Sequence, residues 1–499
     1  MLLRPCRGGG EGRAMVGALE GLRILECGDF VAAPYAATML GHLGADVIKV
    51  EPPEGDSNRR RGPFPPGRES IESGGLHLYL DQAKRGVALD LDSDAGRTGL
   101  RRLAATADAL IASGPPDLLE RRGLTYTALS DANPALVVTT VTPLGLHAAT
   151  ARSQPMRELC DLAVGGWLSI SPGALSEPDR PPLKPFGQQA HFQAGIHAAI
   201  ATLGAIAVRR RTGAGQHVDI SVQAVIASNL ENGLMHYTYG NRVASRLGQR
   251  LLGPWGIIRL ADGLLFLICV TDDEWGRMVE FMGHPEWADS PLFADRGART
   301  ENNDGLLALI EGELADRPVY ETYTAMQARR IPCTPVNDMD GLLRNPHLRE
   351  RQYWVAGEHP DAGEWTYPGA QWQFERTPWQ QGRRAPRLGE HTAEALSGAP
   401  VADQSRRGEP RPVATPRVVA PTAPDGPLPL AGVRVIEFTW VWAGPACGLH
   451  LAHLGAESIK IESVTRADTV RSLGPFWEDV RGPNRSGYAT TSTTRASAA

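Results

Sequence analysis

Over the first 230 residues the chain alternates between two kinds of block. Short runs at 22–27, 46–50, 86–91, 109–111, 136–141 and 217–222 read as strands. The first is mostly apolar and lacks the in-out alternation of a half-wetted strand, the pattern of a buried parallel strand. Between them lie stretches with the length and texture of helices. One begins at Pro34, where a missing N–H costs nothing, and runs to about Leu43 before Gly44 stops it. A second covers 94–105, with Asp94 near its start, and an Ala-rich, buried third covers 195–208. The segment 209–216 (RRRTGAGQ) is a turn, and a long helix starts at Gln223. Strand, helix and strand in succession require a crossover connection and hence parallel pairing, so the pattern predicts an α/β fold.

From about Leu251 the texture changes. A strand at 264–270, helices at 274–283, 303–314 and 319–328, and short strands at 334–336 and 354–356 predict a smaller α+β domain. The chain returns to helix at 389–396. Positions 398–428 are rich in Pro, Ala and Arg with almost no bulky apolar residues, which is the composition of an extended linker. The organisation expected is an N-terminal extension (1–18), a large domain (19–230), a small domain (231–365), a return segment (366–397), the linker (398–428), a further module start (429–488) and an aberrant tail (489–499).

That module start is a repeat. Residues 19–51 and 430–462 align without a gap, and fourteen of thirty-three positions are identical. Arg23/Arg434, Glu26/Glu437, Pro34/Pro445, Gly44/Gly455, Lys49/Lys460 and Glu51/Glu462 are among them. A spacing near four hundred residues is far beyond a solenoid period. The duplicated unit is therefore a whole module, and the second copy is short. After Tyr488 the pattern gives way to TSTTRASA, for which a frameshift is the expected cause; Met15, just before the first strand, is a candidate start.

Composition narrows the function. Lys and Arg total 51 against 56 Asp and Glu, a net charge of −5, with the signs mixed throughout. A nucleic-acid binder would concentrate basic residues on one face, so no nucleic-acid partner is expected. The six cysteines form no C-x-x-C pair and are too sparse for a disulfide framework, which suits a reducing cytosol. The longest apolar run, 264–270, is too short to span a bilayer, and no apolar leader is evident, so a cytoplasmic chain without a membrane partner is expected.

Six segments carry a resemblance: LGADVIKVEPPEGD (43–56), KRGVALDLDSDAGR (84–97), RTGAGQHVDIS (211–221), IPCTPV (331–336), NPHLRERQYW (345–354) and LGEHT (388–392). In that order and spacing the chain resembles the family III CoA-transferases over 19–397, restarting at 430, and its layout is similar to the fused double-module members. The resemblance implies a Rossmann-like open parallel sheet with a small domain, and an interlocked dimer or an intramolecular pseudo-dimer. It implies CoA and acyl-CoA as substrates, with a carboxylic acid acceptor and no tightly bound cofactor or metal. It also implies a ping-pong reaction in which an aspartate carboxylate attacks the thioester. That aspartate stands four residues before a helix glycine, here Gly195, and the residue in its place is His191. A histidine cannot form the aspartyl anhydride; it could act as a base or form an acyl-imidazole. The resemblance places CoA contacts at Val31, Ala32, Lys84, Arg85, Ser113 and Arg121.

Three functions follow from the resemblance. The first is a CoA-transferase. The second is a catalytically inactive module that scaffolds an active copy. The third, an acyl-CoA racemase or epimerase, needs a histidine–aspartate pair, and the sequence shows no aspartate paired with His191.

Overall fold

In the computed structural model, residues 17–148, 152–171, 179–245, 252–398, 428–463, 468–472 and 497–498 are described. The linker and most of the tail fall outside them. The described residues form two compact units, one built on residues 245–354 and the other on the rest of the chain.

The larger unit is organised by a six-stranded sheet: β1 (Arg23–Gly28), β2 (Asp46–Glu51), β3 (Lys84–Ala88), β4 (Ala109–Ser113), β5 (Val137–Thr142) and β6 (His217–Ser221). The order is β3-β2-β1-β4-β5-β6 and every pairing is parallel. β4 and β5 are buried along their whole length, their Ser and Thr residues included, as central strands covered on both faces are. This is the doubly wound order, in which the chain reverses direction across the sheet between β1 and β4. Ligands of such folds lie beyond the carboxyl ends of the strands at that reversal.

Two helices cover one face. α1 (Ala32–His42) follows β1 directly, and α2 (Gln189–Thr212) packs against α1 and β5. The helices approach closely because Gly195 faces α1: a Cβ there would lie 2.7 Å from the Ala32 carbonyl oxygen. By length and composition α2 could cross a membrane, but its buried alanines belong to the sheet's core. It ends at Gly213 in the left-handed region (φ 76°), as helix ends often do.

Three elements differ from expectation. β3 begins at Lys84 rather than 86, because pairing with β2 fixes Val47 opposite Lys84. α2 begins at Gln189, six residues before Gly195, for a reason found in the site below. The helix expected from Gln223 is two, Val222–Ser228 and Glu231–Gly240, the first of them capped by Ser221.

The smaller unit contains β7 (Trp255–Leu260), β8 (Gly263–Ile268) and β9 (Cys333–Pro335) in an antiparallel sheet. Its core gathers Leu265, Leu267, Met278, Leu306, Ile310 and Met326. In the larger unit the hairpin strands β10 (Trp354–His359) and β11 (Gly363–Pro368) lead into the return segment.

The repeat is structural as well as sequential. β12 (Arg434–Glu437), α3 (Ala443–His453) and β13 (Glu457–Lys460) repeat β1, α1 and β2, and β12 and β13 pair in parallel. Left-handed residues recur at equivalent places: Gly21 and Gly432 (φ 85° and 86°), Gly44 and Gly455 (101° and 96°), and, without glycine's freedom, Phe30 and Val441 (70° and 67°). The second copy packs against α2, where Arg211 donates to the carbonyls of Leu428 and Pro429 (2.6 and 2.8 Å) and His197 meets His450 ring to ring at 5.2 Å.

Candidate active site

The turn from β1 into α1 lies at the sheet's reversal point, and its shape is tightly determined. A Cβ on Gly28 would sit 2.5 Å from the Ala33 Cβ and 2.6 Å from Ser113 Oγ, so only glycine fits. Glu26 accepts the Gly28 N–H (2.8 Å), and Asp29 accepts those of Phe30 and Ser57 (2.9 and 2.8 Å). Ser113, at the end of β4, donates to the Asp29 carbonyl (3.1 Å). Phe30 is thereby held at φ 70°, a conformation that costs a bulky residue energy and survives only when its surroundings enforce it. Its ring meets the Arg61 guanidinium (4.5 Å to the centroid) and, at right angles, the His191 ring (4.8 Å between centroids).

His191 stands in the first turn of α2 and is fully buried. The helix start, which lacks a side-chain cap of its own, is capped from the helix Glu158–Val164. Glu158 accepts the N–H groups of Ala190 (2.8 Å) and His191 (3.4 Å), a carboxylate set against a helix N-terminus. One turn on, Asp161 bonds His191 Nε2 at 2.7 Å and accepts the Arg157 N–H at 3.0 Å. His191 therefore does have an aspartate partner, contrary to the expectation from sequence. The two are thirty positions apart and meet only through the packing of two helices, so no local motif marks the pair.

Asp161 engages His191 through Nε2 alone, so Nδ1 is the ring's second polar atom. It is buried without a hydrogen-bond partner, as are Asp161 Oδ1, Gln188 Oε1, Ser57 Oγ and Asn58 Oδ1. Such groups are costly to leave unpaired, and in native proteins they concentrate where a ligand or water completes them.

Of the residues assigned to CoA, Val31, Ala32 and Ser113 lie together at this turn, and all are buried. The cations are engaged elsewhere. Lys84 directs its ammonium at Glu26 (3.2 Å), the Pro34 carbonyl (3.0 Å) and Asp81 (3.0 Å), which takes up its three N–H donors. Arg85 grips Asp46 with two nitrogens and reaches Glu394 at 3.2 Å. Arg121 is exposed and pairs with Asp92.

Lys84 belongs to a buried ionic network beneath the turn. Lys49 contacts Asp56 (2.5 Å), Glu26 (3.2 Å) and Asp81 (3.3 Å). Arg59 makes a two-pronged bond to Glu51 (2.7 and 2.8 Å) and a third to Glu72 (2.7 Å), while His77 bonds Asp81 (2.8 Å). Burial pushes the Asp56 carboxyl up to about 6, with Lys49 pulling the other way. Burial also opposes the charge on Asp81, but Lys49 and Lys84 overcome it and hold that carboxyl well below its ordinary value. The network fastens β1, β2 and β3 to the loop that carries Ser57 and Asn58. The second copy repeats part of it, with Lys460 on Asp468 (2.8 Å) and Arg471 on Glu462 (2.8 Å).

A doubly wound sheet, a tightly built turn at its reversal point and a buried His191–Asp161 pair at the start of the packing helix define a doubly wound α/β module. The chain belongs to CoA-transferase family III, whose family model matches residues 19–392 and again 430–495. It is 35% identical over 374 residues to the succinyl-CoA:(R)-benzylsuccinate CoA-transferase subunit BbsE of Thauera aromatica, covering 73% of this chain and 90% of that one. It is 30% identical to the succinate–glutarate CoA-transferase of Agrobacterium fabrum, covering 76% and 95%. Among solved structures, a CAIB/BAIF family protein from Brucella suis aligns with a TM-score of 0.67 at 27% identity, over 77% of this chain and 99% of that one.

Proposed function

We propose that this chain is part of a CoA-transferase that moves CoA from a thioester such as succinyl-CoA to a carboxylic acid. In this reading its first copy supplies the frame of the site, and an aspartate-bearing partner module supplies the nucleophile. The observation that carries the reading is the state of position 191, a fully buried histidine bonded to Asp161 where a carboxylate nucleophile is expected. A relative named as a subunit supports an enzyme of more than one part, and relatives named for succinyl-CoA support that donor. CoA enters as a substrate at the turn formed by Val31, Ala32 and Ser113, and no tightly held cofactor takes part.

The test is chromatographic. The purified chain is incubated with succinyl-CoA and glutarate or benzylsuccinate, and new thioesters are separated. The expected result is CoA binding without turnover by the chain alone. Turnover by the chain alone that disappears in His191→Ala would overturn the proposal.

One observation favours a second reading. His191 is backed by Asp161 at Nε2 and leaves Nδ1 without a partner, so a neutral imidazole here would have the form of a base. It would suit proton exchange at the α-carbon of an acyl-CoA, read as deuterium uptake into a 2-methylacyl-CoA that His191→Ala abolishes.

A further inference from the structure

The larger unit contains a second recess that shares no residue with the cluster around His191. It is a solvent-open recess of about 160 Å³ between the β10–β11 hairpin and the return segment, and Gln82, Glu358, Trp365, Tyr367, Arg383 and Arg384 are among its lining. Its walls differ in chemistry. The Trp365 and Tyr367 rings lie 4.9 Å apart, tilted by 32°, and form one aromatic side. Gln82 is almost fully buried and gives its Nε2 to the Leu78 carbonyl (3.1 Å). That bond fixes the amide's orientation and leaves Oε1, buried, with no donor. Of the two arginines, Arg384 is held by Glu390 with both terminal nitrogens (3.0 and 2.7 Å). The Arg383 side chain is exposed, and among the described residues it has no hydrogen-bond or salt-bridge partner.

An aromatic wall, an unfilled acceptor and a free guanidinium suit a ligand with three matching parts: a flat ring, an N–H donor on its edge and an anionic group. A hydrocarbon would leave Oε1 and Arg383 unanswered, and an inorganic anion would leave the aromatic wall and Oε1 unanswered. We propose that this recess binds a free adenine nucleotide, with the ring against Trp365, the exocyclic amine donating to Gln82 Oε1 and the phosphate on Arg383. Arginine is well suited to that last role, since its fork matches a phosphate in charge and geometry. Glu358, exposed on the lining, opposes the phosphate by charge.

The experiment is calorimetric titration of the full chain with AMP. Saturable binding at one site is expected. Arg383→Gln should weaken it about tenfold or more, the loss of a charge-assisted hydrogen bond. Glu358→Gln should tighten it. Both side chains are exposed, so both variants keep the fold, which circular dichroism checks. Inosine monophosphate, with a carbonyl in place of the amine, should bind more weakly than AMP. The proposal is overturned if AMP gives no saturable heat, if both variants bind AMP as the parent does (the result of AMP lodging in the CoA-thioester site), or if AMP and inosine monophosphate bind equally.

Discussion

Replacing Asp161 by leucine tests the central contact of the candidate site. The aspartate is fully buried and serves two groups, His191 Nε2 at 2.7 Å and the Arg157 N–H at 3.0 Å. Leucine is of similar size, so little cavity forms and the loss is mainly polar. Because Nδ1 of His191 already lacks a partner, the variant leaves a buried imidazole with no hydrogen bond at either nitrogen. A buried polar group stripped of its partner costs about 1–3 kcal/mol, and the lost bond to Arg157 adds about 1 kcal/mol. We therefore expect Asp161→Leu to destabilise the larger unit by about 2–4 kcal/mol. The informative comparison is the double variant Asp161→Leu/His191→Leu. Removing both polar partners together should recover much of the loss, whereas two independent sites would add. Thermal denaturation of parent, singles and double, followed by circular dichroism, measures the coupling. An unchanged midpoint in Asp161→Leu, or a double variant weaker than either single, would refute the account of this pair.

Lys49→Met should be among the most damaging single changes, because it removes the cation paired with Asp56 and leaves Glu26 and Asp81 to Lys84. Removing one partner of a buried ion pair costs about 3–5 kcal/mol, so soluble yield and urea midpoint should both fall sharply. Gly28→Ala should disrupt the β1–α1 turn, where the new methyl meets Ala33 and Ser113, and should abolish CoA binding measured by titration. His42 gives a pH signature. Burial, assisted by Lys84, pushes its imidazole down to about 4, so the folded chain binds fewer protons there than the unfolded chain. Its contribution to stability is complete above the unfolded value of about 6.5 and is lost as pH falls from there toward 4. A His42→Phe variant should show a flatter dependence of melting temperature on pH over that interval.

The β1–α1–β2 unit was legible because its signals are local: an apolar run, Pro34, Gly44 and a second run. The start of α2 was not. Its cap is Glu158, contributed by another helix, so nothing near Gln189 announces the boundary. The same packing brings Asp161 to His191, and a pair separated by thirty positions leaves no spacing to read. Lys84 and Arg85 misled in the opposite sense. Adjacent cations in a polar segment look available to phosphate, but β3 lies beside β2 and brings Lys84 among buried carboxylates and Arg85 onto Asp46. The strand Trp255–Leu260 went unread, since its pairing with Gly263–Ile268 is what sets it apart from a loop.

The two copies of the ionic clasp differ in one respect that bears on redesign. Glu51 and Asp56 are five residues apart, whereas Glu462 and Asp468 are six. In both, the glutamate nevertheless accepts the aspartate's own N–H (3.3 and 3.2 Å) and holds the arginine three positions further on. The spacing of the two acids differs by one residue while the charged contacts keep their pattern. An engineer grafting this clasp onto another parallel sheet should therefore copy its four charges, Lys, Glu, Asp and Arg, and treat the loop between the acids as adjustable slack.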